Sequence, residues 1–113
     1  MQFDVAQPLR SRPARPKPRR MQVHFEETPP RGRFKLVKGE EVLGEMTFSR
    51  ARDDLIIIDH TEVDESLRGQ HAGKRLFDGM VAWARESGTK VMSTCPFANA
   101  MFERDEASRD VLA

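Results

Sequence analysis

The sequence predicts a small α+β domain, a mostly antiparallel sheet built around a central strand–loop–helix–strand unit. Three observations predict it. Two runs within residues 33–48 alternate polar and apolar side chains on either side of Lys38-Gly39-Glu40-Glu41, which is the pattern of an antiparallel hairpin. Leu55-Ile56-Ile57-Ile58 is an unbroken apolar run that continues as Asp59-His60-Thr61-Glu62-Val63, the reading of a central strand. Residues 73–87 then place apolar side chains at the helical period before a second strand over residues 90–95.

The chain of 113 residues allows one domain. Its 38% apolar and 33% charged residues suit a globular protein with a modest core. No run approaches the roughly eighteen apolar residues of a membrane span, and no secretory apolar segment is present. A single cysteine cannot close an internal disulfide, so a cytoplasmic setting is expected. The cysteine and histidine count argues against a four-ligand structural zinc site, and no metal is expected.

The formal charge of +1 conceals a division. Residues 1–20 carry six basic side chains against Asp4, a balance of +5, and the remaining residues sum to −4. The same segment holds Pro8, Pro13, Pro16 and Pro18 and little apolar content, so it cannot offset its ordering entropy and reads as a disordered tail. The domain then spans 21–113. Three readings of the tail stand side by side: a solvated extension, a basic arm touching nucleic acid or an acidic partner, and a stretch upstream of a true start at Met21. Its prolines argue against the amphipathic helix of an organelle transit peptide.

From Met21 the elements follow in order. Val23-His24-Phe25-Glu26 alternates weakly as a first strand. Thr28-Pro29-Pro30-Arg31-Gly32 is a turn. Strands follow over 33–37 and 42–48, and Arg50-Ala51-Arg52-Asp53-Asp54 turns into the apolar run. By strict alternation along that strand, Ile56, Ile58, His60 and Glu62 share one face, and Ile57, Asp59, Thr61 and Val63 the other. On the helix, Leu76, Phe77, Met80, Val81 and Ala84 fall on one side with Trp83 at its edge, and Lys74, Arg75, Asp78, Arg85 and Glu86 on the other. Gly88 is placed to end it in a left-handed conformation. Met80, Met92 and Met101 read as core. Pro96 sits at the first position of a short helix that buries Phe97 and Met101, which makes Cys95 its N-cap. Val111, Leu112 and Ala113 are placed to dock on the sheet.

Between the central strand and the helix lies Arg68-Gly69-Gln70-His71-Ala72-Gly73-Lys74. A helix start presents N–H groups without internal partners at the positive end of the dipole, and glycine lets backbone approach a ligand closely. The loop therefore reads as an anion site. No Gly-x-x-x-x-Gly-Lys-Ser/Thr and no Gly-x-Gly-x-x-Gly is present, which argues against Walker-type and dinucleotide sites.

The stretch from Val63 through Leu76 resembles the acyl-CoA pyrophosphate loop of the GNAT superfamily of N-acetyltransferases, whose pattern is Arg/Gln-x-x-Gly-x-Gly/Ala. Arg68 and Gly73 match it, and His71 stands where the first glycine is expected. Together with Asp59-His60-Thr61-Glu62-Val63 and Cys95-Pro96-Phe97-Ala98, the stretch is similar to a compact GNAT subgroup. The resemblance covers about residues 23–113. It implies the GNAT-like fold, acetyl-CoA as acyl donor, N-acetyl transfer to an amine of unknown identity, and donor contacts from Thr61, Val63, Arg68, Gly69, Gln70, His71, Ala72, Gly73 and Lys74. The helices between the first two strands and the terminal hairpin of larger members are missing, which suits a large acceptor or a homodimer that completes the site.

Three residues are candidates for the chemistry. Amine acetylation needs a base for the ammonium and an acid for the departing thiolate. His60 and Glu62, neighbours on one face near the strand end, are candidate bases, the alternative being a structural histidine and a surface carboxylate. Many GNAT enzymes use tyrosine as the acid, and this chain has none. Cys95, at a helix N-terminus, is a candidate nucleophile or acid, against the reading of a small buried apolar side chain. Two further functions stand as alternatives. One is a non-catalytic acyl-CoA-binding or protein-interaction module. The other, nucleic-acid binding, rests on the tail alone.

Overall fold

The computed structural model describes residues 20–113, so the expected tail lies outside the described residues except for Arg20. Five strands form one sheet in the order of the chain: β1 (Met21–Thr28), β2 (Arg31–Lys38), β3 (Glu41–Arg52), β4 (Leu55–Val63) and β5 (Lys90–Ser93). The first three pairings are antiparallel, and β5 runs parallel to β4. The parallel pair is connected by a single helical turn (Glu65–Leu67) and by α1 (Ala72–Ser87), as a crossover requires. A shorter helix, α2 (Pro96–Arg104), follows β5, and a turn of helix over Glu106–Val111 closes the chain. This is the α+β sheet with a central strand–loop–helix–strand unit that the sequence predicts.

The core forms where α1 and α2 cover one side of the sheet. Phe34, Leu36, Met46, Phe48, Ile56 and Ile58 point up from the strands, and Leu76, Phe77, Met80, Val81 and Ala84 point down from α1. Phe102 of α2 meets Phe77 edge-on, with ring centroids 4.8 Å apart. α1 ends where Gly88 adopts φ 70° and donates its N–H to the Ala84 carbonyl. Trp83, at the edge of the apolar stripe, stacks on Phe25 of β1 at 4.6 Å. The C-terminus docks as expected: Leu112 bridges to Val91, and the Ala113 N–H donates to the Val91 carbonyl at 2.9 Å.

Two expectations need correction. Met92 is not core. It pairs with Ile57 and is 49% exposed on the other side of the sheet, because the burial alternation of β5 puts Val91 inward. Strict alternation along β4 also fails. Thr47 pairs with His60 and Phe48 with Ile58, so Asp59 is an extra residue with no cross-strand partner. This bulge inverts the phase. Ile56 and Ile58 lie in the core, Thr61 is aligned with buried Met46, and Val63 packs on the same cluster. His60 and Glu62 face away from the helices, so they do not share a face with Ile56 and Ile58.

Candidate functional site

The site begins where the two parallel strands part. Their register runs from Leu55–Lys90 to Ile58–Ser93, and the Thr94 N–H still donates to the Ile58 carbonyl at 2.9 Å. Beyond this, β4 continues through Val63 while the chain after Ser93 turns into α2. Pro96 at the helix start makes the parting sharp, since it fixes its own φ and pushes Cys95 to extended geometry (φ −83°, ψ 120°). Cys95 is the N-cap of α2, as its place before Pro96 predicts. It is 2% exposed, and its sulfur lies 3.3 Å from Thr61 Oγ1 across the parting. The Cys95 N–H donates to Ser93 Oγ at 3.1 Å, and its carbonyl accepts from the Asn99 N–H at 2.9 Å.

The loop before α1 supplies the second part. Asp64 caps the first turn by accepting from the Ser66 N–H at 2.9 Å; the hydrogen bonds from Ser66 hold its carboxyl below the usual carboxylate range. The N–H groups of Arg68 and Gln70 are taken by the Glu65 and Leu67 carbonyls. The first bond of α1 runs from the Arg75 N–H to the His71 carbonyl, so the N–H groups of Ala72, Gly73 and Lys74 precede the intrahelical ladder. Among the described residues no side chain caps this end, and no acidic residue lies in its first turn. Lys74 and Arg75 stand there instead, where a helix dipole opposes cations. Lys74 is ion-paired to Asp78 at 2.8 Å, and among the described residues Arg75 makes no ion pair. Gly69 has φ 82° and open space around it, whereas His71 reaches φ 57° with a side chain attached. Gly73 also has a packing role. A Cβ there would lie 2.7 Å from the Phe97 ring, so the glycine admits α2 against α1.

The third part is the open face of the sheet. His60 and Glu62 are exposed there (60% and 71% of their side chains), with His60 Nε2 3.9 Å from Glu62 Oε1. Glu62 stands directly opposite Glu45, a like-charge pair that costs stability unless something positive intervenes. The Arg33 guanidinium donates to Glu45 and to Glu26, each at 2.8 Å. A hollow of about 440 Å³ lies beside Glu62, with Arg33, Glu45, Val63 and Asp64 among its walls. Asp59, absent from the sequence-based candidates, proves to be tied into this face. Burial disfavours its charge, but hydrogen bonds from Thr47 and Arg31 and the Arg31 charge outweigh it and hold the carboxyl below its usual range.

The structure thus brings Thr61 and Cys95 together at the parting, sets Val63 and residues 68–74 beyond it, and leaves His60 and Glu62 on the opposite face of β4. Two parallel strands part beside a helix start that carries Lys74 and Arg75, an arrangement suited to an anionic ligand. The chain matches the GCN5-related N-acetyl-transferase family over residues 33–111 and belongs to it. It is an N-acetyltransferase, a member of a family that takes acetyl groups from acetyl-CoA and passes them to amines. Among solved structures it is similar to a GCN5-like putative N-acetyltransferase from Staphylococcus aureus, at 30% identity and TM-score 0.58, covering 80% of this chain and 87% of that one. It is also similar to a ribosomal-protein-alanine N-acetyltransferase from Brucella melitensis biovar Abortus 2308, at 17% identity and TM-score 0.56, covering 69% and 64%. A third is an aminoglycoside acetyltransferase from an uncultured soil metagenomic sample, at 14% identity and TM-score 0.51, covering 73% and 59%. The last two likenesses speak for the fold alone. No curated protein sequence matches the chain.

Proposed function

We propose that the chain binds acetyl-CoA with its pyrophosphate at residues 68–74 and its thioester where β4 and β5 part, and transfers the acetyl group to an amine arriving across the open face. The observation that carries this reading is the start of α1. Among the described residues its first N–H groups have no intrahelical or side-chain partner, its first turn has no acidic residue, and it carries two cations, an arrangement unfavourable for the helix alone and suited to an anionic ligand.

The chemistry follows from what the side chains can hold. The acceptor ammonium must lose one proton before its nitrogen attacks the thioester carbonyl. A second proton leaves the nitrogen as the amide forms. The carbon–sulfur bond breaks, the sulfur takes up one proton, and one is released to solvent. Glu62, with His60 beside it, is the carboxylate at the hollow that can accept from the ammonium, whose charge also relieves the Glu45–Glu62 opposition. Cys95 lies at the parting with a hydrogen-bonding neighbour in Thr61 and is the group placed to protonate the departing thiolate. The open face carries no helix among the described residues, which suits a bulky acceptor.

The test is calorimetric titration of acetyl-CoA into the full chain and into Arg68→Glu/Arg75→Glu, followed by thiol release with lysine, spermidine and an alanyl peptide. Two exposed charge reversals should weaken binding by about tenfold or more, since each charge contact to phosphate contributes on the order of 1 kcal/mol. Equal affinity in the two proteins would overturn the placement of the pyrophosphate. Thiol release that survives in both Cys95→Ala and Glu62→Gln would remove those residues from the reaction.

A further inference from the structure

We propose that Asp59 is a positioning residue for acetyl transfer. Held by Thr47 and Arg31, it keeps the extra residue in β4 that turns Thr61 towards Cys95 while leaving His60 and Glu62 on the open face. The inference rests on the transfer reading above and adds a residue that reading does not use.

The pairing of β4 with β3 passes from Phe48–Ile58 to Thr47–His60, with Asp59 left between. Side chains alternate with a period of two, so one extra residue changes the face of everything after it. Without it, Ile58 in the core would be followed by His60 and Glu62 in the core. Thr61 would turn to the open face, and its contact with Cys95 would be lost. The whole arrangement of the site therefore depends on one residue staying out of register.

That residue is fastened from two strands. Thr47 Oγ1 donates to Asp59 Oδ1, and the Arg31 guanidinium donates to Asp59 Oδ2 at 2.7 Å. Arg31 also donates to Ser49 Oγ at 2.7 Å, and Thr47 Oγ1 reaches the His60 carbonyl at 3.5 Å. Arg31 opens β2, and Thr47 and Ser49 lie on β3, so Asp59 ties three strands at the bulge. Aspartate is depleted in strands, and an aspartate within a nine-residue strand needs a reason of this kind. Bulges commonly re-aim side chains next to active sites.

The test compares Asp59→Ala, Asp59→Asn, Thr47→Val and Thr47→Ser in the full chain, using acetyl-CoA and the amine giving the fastest thiol release. Three quantities are read: kcat, the calorimetric affinity for CoA, and the backbone amide resonances of Thr61 and Cys95. Asp59→Ala should lower kcat about a hundredfold, the scale of an ångström-sized misplacement, and shift both resonances. CoA affinity, which rests mainly on the phosphate contacts of residues 68–74, should fall far less than kcat. Thr47→Val should move in the same direction, and Thr47→Ser, which keeps the hydroxyl, should restore kcat. Asp59→Asn keeps an acceptor for Thr47 and carries the test if Asp59→Ala does not fold. Unchanged kcat in Asp59→Ala, or a loss of kcat matched by a loss of CoA affinity, overturns the proposal. A wild type that releases no thiol at all would sink the transfer reading and this inference with it, and that failure is visible before any variant is made.

Discussion

At the scale of single residues, the positions that break a local rule are the informative ones. His71 holds φ 57°, where a side chain costs on the order of 1 kcal/mol that glycine does not incur. No hydrogen bond from its ring caps α1. His71→Gly should therefore raise stability by up to about 1 kcal/mol, or a few degrees in Tm, with acetyl-CoA affinity retained. A scan calorimeter and a titration check both, and a loss of affinity would show that the ring touches the phosphates. Asp59 breaks another rule and makes a pH-dependent prediction. Its carboxyl is held below the usual range in the fold, against an ordinary value of 3.8 unfolded. A depressed folded value means stability that is present above the unfolded value and lost as pH falls through the folded one. The Tm difference between wild type and Asp59→Asn should be full at pH 6 and should shrink only below about pH 4. Thermal melts from pH 2.5 to 7 measure it, and a constant difference would show that charge is not what the site uses.

At the scale of elements, legibility follows how local the cause is. The stripe of Leu76, Phe77, Met80, Val81 and Ala84 and the stop at Gly88 are written in consecutive residues, so α1 could be read within one residue of its observed start. Pro96 likewise announced α2 and the N-cap position of Cys95. The phase of β4 could not be read, because a bulge is a fact about two strands, and nothing in 55–63 says that β3 will skip Asp59. The missed signal was an aspartate inside a strand with threonine and arginine elsewhere to receive it. Gly73 was legible as a glycine of the loop motif, but its packing role needed the position of Phe97. A Cβ there would meet the ring at 2.7 Å, so Gly73→Ala should cost about 1–3 kcal/mol as an overpacking change. Phe97→Leu in the same chain should recover part of that loss. Urea unfolding of the two single variants and the double variant tests it. Additive losses would mean that the two side chains do not compete for the same space.

At the scale of the whole molecule, the helices lie on one face of the sheet, and the candidate reactive side chains are divided between the two faces of β4. Cys95 and Thr61 lie on the helix side, and His60 and Glu62 lie on the open side. On the reading proposed above, donor and acceptor approach β4 from its two faces and meet where β4 and β5 part. Among the described residues the core that supports it runs from Phe34 through Val111, with β1 added at the edge where Val23 packs on it and Phe25 stacks on Trp83 of α1. The core described lies wholly within 21–113, so removal of residues 1–20 should leave Tm and thiol release unchanged. The same truncation separates the two charges of the chain. The first twenty residues carry +5 and the remainder −4, so any affinity of the full chain for duplex DNA should fall steeply with salt and disappear on removing the basic segment. Melting curves, thiol release and DNA titrations at two salt concentrations on both chains make the comparison. If truncation leaves Tm intact but slows thiol release, the basic segment takes part in handling the acceptor. The acceptor would then be an acidic macromolecule presenting an amine rather than a small polyamine, because only an acidic partner gains from +5 on one arm of an otherwise acidic domain.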